Sequence, residues 1–268
     1  MTNGFPCPIG QNNLIHTLSR ADRALIGPHL KPVKLDREAF LKQPDMLVRT
    51  VYFLKSGIGS TVAFSKTGRC IEVGIFGFEG MSGTAIVLQR EYSHQETFMQ
   101  ISGEALAIEP DRLQELMQQS PSLQRHLLRY VQVMMTQAHQ TVLSNGQSRL
   151  EERLARWLLM CHDRISGNTM EMTHKILSIM LGVRRAGVTV GTHMLEGKGL
   201  IRANRGEIII LDREGLEEKA QDSYGVPEAE YARLIGFDAA DQHDRSRLPK
   251  AKVVSILLRK PRASVPKL

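Results

Sequence analysis

The 268-residue chain contains no run of about 18 consecutive apolar residues, which excludes a membrane-crossing helix of ordinary length. Its first residues, MTNGFPCPIGQNN, lack a basic segment followed by an apolar one, so no secretory signal peptide is expected. Cysteine is scarce. Cys7, Cys70 and Cys161 are odd in number, far apart and without metal-ligand spacing, which argues against a disulfide scaffold or a zinc site and fits a reducing cytoplasm. Histidine is almost missing from the middle of the first half: between Leu30 and Pro110 there is only His94. A metalloenzyme built inside a β-barrel would need several histidines and a carboxylate there, so no enzyme, metal or cofactor is expected.

The formal net charge of +7 belongs mostly to the end of the chain. The last 24 residues hold eight basic side chains (Arg245, Arg247, Lys250, Lys252, Arg259, Lys260, Arg262 and Lys267) and no acidic one. Without them, 27 basic residues face 28 acidic ones, a nearly neutral body. A local excess remains. Between Met172 and Leu211, six basic residues (Lys175, Arg184, Arg185, Lys198, Arg202 and Arg205) face only Glu196 and Glu207. Positive charge gathered on one small unit points to a phosphate-bearing partner more directly than a global excess does.

What is present divides the chain by texture. A short helix is expected after Asn12. From about Leu47 to Ile108, the β-prone runs VRTVYFL, STVAF, IEVGIF, ETFMQI and EALAI alternate with turn-rich stretches such as SKTGR and GFEGMSG. Short strands at this spacing predict an antiparallel sandwich or barrel. After Pro110 the pattern turns helical. DRLQELMQ predicts one short helix, and Ser120-Pro121 starts a longer one reaching about Ser144. On it Leu127, Val131, Met134, Ala138 and Thr141 recur at intervals of 4, 3, 4 and 3, the spacing of a coiled-coil seam, with Leu128, Met135 and Val142 widening the stripe. Such a stripe either packs on the strand domain or pairs with a second copy. Ser144-Asn145-Gly146 is expected to end the helix. Another amphipathic helix then carries Leu150, Leu154, Trp157, Leu158 and Cys161.

The segment MTHKILSIMLGVRRAGVTVGTHMLEGKGLI, from Met172 to Ile201, reads as two short helices broken at Leu181-Gly182-Val183. Thr173 is a candidate N-cap, and Ile176, Leu177 and Met180 give the first helix an apolar face. Gly182 suits a turn that requires positive φ. Val183 and Val188 can pack the second helix on the first. This is the helix-turn-helix pattern, whose second helix fits the DNA major groove. Arg184 and Arg185 open that helix, where arginine can bridge guanine O6 and N7 or clamp a phosphate. Leu200–Ala203 and Glu207–Leu211 then form a hairpin around Asn204-Arg205-Gly206, a "wing" with Arg205 at its tip.

With these residues in order, the region from Met172 to Leu211 resembles the DNA-binding domain of the cyclic-AMP receptor protein/Fnr family of bacterial transcription regulators. The resemblance extends over roughly residues 30–225. It implies an α+β fold in three parts: an N-terminal cyclic-nucleotide-binding-like β-roll, a long dimerisation helix and a C-terminal winged helix-turn-helix. The expected boundaries are 1–119, 120–147 and 148–236, with 237–268 a flexible basic tail or a non-specific phosphate-contacting arm. It implies a cytoplasmic homodimer bound to double-stranded DNA at a two-fold-symmetric site, RNA polymerase as a further partner, and no membrane. Dimerisation then falls to Leu127, Val131, Met134, Ala138 and Thr141. By position, Arg185 matches a base-reading arginine and Arg184 a site that usually holds a small capping hydroxyl. Thr173 and Lys175 match backbone-contacting positions, and Thr189 and Arg205 complete the expected DNA-binding set. Ala186 and Val190 depart from the base-reading glutamate and arginine of the best-known member, so the preferred DNA sequence should differ. Gly191, inside the second helix, costs about 1 kcal/mol relative to alanine and calls for a packing reason.

The same resemblance bears on effectors. Cyclic-nucleotide-binding members hold the phosphate with an arginine–serine pair and the ribose with a glutamate of the glycine-rich turn. Here Ser93-His94 and Met81 occupy those positions, and the nearest arginine is Arg90. An anionic phosphate buried without a cation is costly, so cyclic AMP is not expected to gate this protein. The four cluster cysteines of Fnr-like members cannot be supplied by three scattered ones, and His94 alone does not make a haem site.

Overall fold

A computed structural model describes residues 10–236. Cys7 and the basic tail anticipated over 237–268 lie outside them. Two short helices come first, α1 (Asn13–His16) and α2 (Arg20–Ile26), capped by the side chains of Asn12 and Ser19. Seven strands follow: β1 (Lys31–Leu35), β2 (Phe40–Lys42), β3 (Val51–Leu54), β4 (Ile58–Phe64), β5 (Cys70–Phe76), β6 (Glu96–Ile101) and β7 (Gly103–Ile108). A one-turn helix α3 (Thr84–Val87) follows the glycine-rich turn between β5 and β6. The strands form two antiparallel sheets, ordered β1-β7-β3 and β2-β6-β4-β5. They share one core: Leu35, Leu54 and Ala105 from the first sheet meet Leu41, Phe76 and Met99 from the second. The five expected runs all became strands. β1 and β2 were not foreseen, because KPVKL buries only Leu35 and carries a proline, so it has no alternating pattern to detect.

Helices α4 (Pro110–Gln119) and α5 (Pro121–Gln147) each place proline in the first turn, where a missing N–H is harmless. Contrary to expectation, α5 does not stop at Ser144-Asn145-Gly146 but runs through it, with Ser144 buried and accepting from the Ser148 N–H. Helix α6 (Leu150–His162) follows directly. The seam also needs correction. Leu127 and Val131 are buried inside the subunit, in one cluster with Leu14, Ile26, Phe78 and Tyr231, and Met134 is half-buried against it. Farther along, Thr141 accepts a hydrogen bond from Arg156 of α6. Leu127, Val131 and Met134 therefore face their own subunit's core, and Thr141 its α6, while Ala138 is half-buried. What remains exposed is the neighbouring stripe: Leu128, Met135, Val142 and Leu143. Two apolar stripes one residue apart satisfy the same periodicity, and the docking of α5 decided which was covered.

The last part contains β8 (Thr169–Glu171), α7 (His174–Leu181), α8 (Arg185–Glu196), β9 (Ile201–Asn204), β10 (Glu207–Ile210), α9 (Arg213–Ala220) and α10 (Val226–Ile235). Its sheet is ordered β8-β10-β9, so the wing hairpin gains a third strand that the sequence did not announce. Neither α9 nor α10 was anticipated. The apolar core of this part includes Ile58, Val62 and Ile75 of the β-domain beside Trp157, Leu177 and Met180. Among the described residues no helix is long and apolar enough to cross a membrane.

Two buried polar groups tie these parts together. Arg164, just after α6, pairs with Glu79 of the glycine-rich turn at 2.8 Å, and both side chains are almost fully buried. Glu72 of β5 accepts from Trp157 Nε1 at 2.7 Å and hydrogen-bonds the Ser60 hydroxyl at 2.5 Å. Burial pushes the Glu72 carboxyl up to about 7, against the opposing pull of those two hydrogen bonds and of Arg156 and Arg164. An acid raised in the folded state keeps its proton there after the unfolded chain has lost it. Its contribution therefore weakens as pH climbs from about 4.5 to about 7 and is level above. The stability of the parent minus that of Glu72→Gln should fall across this window, by up to roughly 3 kcal/mol. Urea denaturation at several pH values measures it, and parallel curves would contradict the raised value.

Candidate nucleic-acid interface

Local sequence sets each step of the helix-turn-helix. Thr173 caps α7, its hydroxyl accepting from the Ile176 N–H at 3.3 Å. Gly182 ends α7 in the left-handed region at φ 62, and a Cβ there would also meet Ile71 Cδ1 at 2.7 Å. The Val183 N–H donates to the Ser178 carbonyl at 3.0 Å, and the Leu181 carbonyl accepts from the Arg153 guanidinium. Arg184 stands at the N-cap of α8 with no capping side-chain bond. Val188, Gly191, Thr192 and Leu195 form the buried face of α8.

The opposite face is open. Arg184, Arg185, Ala186, Val190, His193 and Met194 are exposed, Val190 to 57% and Met194 to 43%. Lys175 is exposed in the first turn of α7, and Arg205 is exposed in the turn between β9 and β10. Thr189 differs from the rest of the expected set. It is half-buried, and its hydroxyl donates to the Arg185 carbonyl at 3.2 Å and lies 3.4 Å from His174 Nδ1. It fixes α8 against α7 more than it faces outward. The wing is held by Glu196, whose carboxylate accepts from the Ala203 N–H at 2.7 Å.

Charge partitions sharply. Several acids of this part are paired, Asp163 and Glu217 with Arg213, Glu151 with Lys219 and Glu79 with Arg164, while Glu196 and Glu207 accept only from neutral donors. Among the described residues, none of Lys175, Arg184, Arg185, Lys198, Arg202 and Arg205 forms an ion pair. Unpaired and outnumbering Glu196 and Glu207, six cations on α7, α8, the turn after it and the wing leave a net positive field for an external anion.

Residues 152–219 match the Crp-like helix-turn-helix domain. The chain carries a Crp-like helix-turn-helix domain. A comparison with curated proteins gives no match. Solved structures agree on the whole architecture. A regulator assigned to the crp/fnr family from Eubacterium rectale is 20% identical, with a TM-score of 0.62 over 81% of this chain and 99% of that one. FixK2 from Bradyrhizobium japonicum is 16% identical, with a TM-score of 0.61 over 72% of this chain and 98% of that one. The c-di-GMP-responsive global regulator CLP from Xanthomonas campestris is 17% identical, with a TM-score of 0.58 over 72% and 99%. The chain thus has the Crp/Fnr fold from β-roll to winged helix-turn-helix.

Sequence reading identified the arginines at the head of α8 but not His193 and Met194. The signal for them was available: counted from Ala186 at helical spacing, Val190, His193 and Met194 continue the same outward face. The structure supplies no packing reason for Gly191. A Cβ there would meet Leu154 Cδ2 at 3.4 Å and Leu150 Cγ at 3.5 Å, ordinary contact distances against α6. Gly191→Ala should therefore fit and raise stability by about 1 kcal/mol through helix propensity. A lower urea midpoint for this variant would mean that α6 and α8 require a bare Cα between them.

Proposed function

We propose that this protein is a homodimeric, sequence-specific transcription regulator, with the β-roll through residue 119, the dimerising helix over 120–147 and the DNA-binding part over 148–236. The observation that carries the reading is the set of unpaired cations on a Crp-like helix-turn-helix. α8 enters the major groove, Arg185 reads a base edge, and Thr173, Lys175, Arg184 and Arg205 hold the sugar–phosphate backbone. The cytoplasm is the compartment that suits this work, and RNA polymerase is the expected protein partner.

Dimerisation is assigned to the exposed stripe of α5. Leu128, Gln132, Met135, His139 and Val142 follow at intervals of 4, 3, 4 and 3, so they form a seam one residue displaced from the buried one. Gln132 and His139 are the polar members that specify register in such a seam. Two copies joined here would offer two recognition helices to half-sites roughly 34 Å apart.

Cyclic AMP is not the gate in this reading. Met81, at the position of the ribose-binding glutamate, is 1% exposed. Its N–H donates to the Tyr130 hydroxyl, and the Tyr231 hydroxyl donates to the Glu79 carbonyl, so protein groups fill the turn. At the phosphate-anchoring positions, Ser93 is half-buried with its hydroxyl accepting from Lys42, and His94 is exposed and paired with Asp45. Gating by another small molecule is the second reading, favoured by a separate cleft described below.

The decisive experiment is selection of bound sites from random duplex DNA by the purified protein. A two-fold-symmetric consensus is expected, and recovery of unenriched DNA would reject the reading. On the selected site, Arg185→Ala should cost about 1–3 kcal/mol and relax preference at one base pair per half-site. Equal loss on random DNA would make Arg185 a phosphate contact. Met135→Asp would bury an unpaired charge in the seam, so sedimentation should report monomers with operator binding lost. A dimer that persists would move the interface off α5.

A further inference from the structure

A cleft of about 310 Å³ lies between the β-roll and the wing sheet, lined by Arg37, Ser56, Gln100, Ser102, Thr169 and Glu171 among others. Its size falls within the usual range of small-molecule sites. Gln100, one of the lining residues, sits at an irregular point of β6. Ile58 pairs with Ile101 and Gly59 with Met99, so Gln100 is the extra residue of a β-bulge. Bulges re-aim side chains and collect beside functional sites. Gln100 is 1% exposed, yet neither its Nε2 nor its Oε1 has a hydrogen-bond partner. Arg37 Nε is buried and unpartnered as well. Among the described residues six buried side-chain polar atoms lack a partner, and three of them belong to Arg37 and Gln100, two of the residues that line this cleft. Leaving a buried donor or acceptor unmatched is costly enough that each case calls for an explanation.

The chemistry of these groups defines what would match them. A carboxamide needs a partner that both donates and accepts. The Nε side of an arginine fork suits a carboxylate. Glu171 holds Arg37 only loosely, at 3.5 Å, with its own side chain 79% exposed, and can accept from an ammonium. We propose that this cleft is an effector site for a small amino acid bearing a carboxamide side chain. Its carboxylate meets Arg37, its ammonium Glu171 and its amide the Gln100 carboxamide, which turns out of its buried position into the cleft to reach it. Thr169 and Glu171 belong to β8, which leads within two residues to the Thr173 cap of α7, so occupancy bears on the helix-turn-helix. That last step rests on the DNA-binding reading above, whereas ligand binding does not.

Titration calorimetry of the full chain with L-glutamine tests the site without DNA, so its failure leaves the DNA-binding reading untouched. A saturable heat with a dissociation constant of about 1 mM or tighter is expected. Gln100→Leu and Arg37→Met should each weaken it about tenfold or more, and L-norleucine, which lacks the amide, should bind about tenfold more weakly to the parent. A merely structural Gln100 is separated by melting without ligand. Because the amide has no partner to lose, Gln100→Leu should melt no lower than the parent, while losing the rise that L-glutamine gives the parent. No saturable heat up to about 10 mM, equal binding of norleucine, or parent-like binding by Gln100→Leu would overturn the proposal and leave a cleft that holds water.

Discussion

The buried ion pair between Glu79 and Arg164 is the constraint around which the rest is arranged. A guanidinium shut away from water must be neutralised, and removing one partner of such a pair costs about 3–5 kcal/mol. Glu79 sits in the glycine-rich turn of the β-roll, and Arg164 follows α6, so meeting that requirement fixes the DNA-binding part on the β-roll. The surroundings reinforce it. The other Glu79 oxygen accepts from the Gly77 N–H, Arg164 also donates to the Met160 carbonyl, and the Tyr231 hydroxyl of α10 donates to the Glu79 carbonyl. Gly80 has no room for a Cβ because the Tyr130 phenol occupies that space. A turn packed this way is a structural joint, with its polar groups already spoken for.

The joint accounts for the division of surfaces on α5. Tyr130 must point at the turn, which turns Leu127, Val131 and Met134 inward and leaves Leu128, Met135 and Val142 outside. The inward stripe stabilises the subunit by ordinary burial. The outward one is a row of apolar side chains that water would rather lose, and in a homodimer it is the natural place for the second copy. In the proposed dimer a single helix carries intramolecular and intermolecular demands on neighbouring faces.

Electrostatics divides the C-terminal part in a similar way. Acids near α6, α9 and the turn are matched by Arg213, Lys219 and Arg164, while the cations of α7, α8 and the wing are left without acidic partners. Interspersed with these cations are Ala186, Val190 and Met194, apolar groups of the kind that contact thymine methyls in the major groove. In the proposed complex, base preference on such a helix comes from a mixture of arginine hydrogen bonding and methyl contact. That follows from this chain's own residues, because the positions of a second charged pair of base readers hold alanine and valine.

Much of this protein was legible in its sequence, where the signals were local. A β-branched run between turns, a threonine before an apolar helix, a glycine where φ must be positive and two arginines at a helix start each act over a few residues. The five central strands and the helix-turn-helix with its wing were legible for that reason. Tertiary structure decided the rest. Periodicity cannot say which of two adjacent stripes on α5 is covered, since both repeat at 4 and 3 and only docking against the β-roll distinguishes them. It cannot foresee β1, whose exposed edge has no pattern, or the passage of α5 through Ser144-Asn145-Gly146, where packing outweighs local punctuation. Nor can it reveal that Glu79 meets Arg164, 85 residues away, or that a bulge sets Gln100 beside an open cleft. Long-range pairing of buried polar groups depends on where distant segments come to rest, and only the folded chain fixes that.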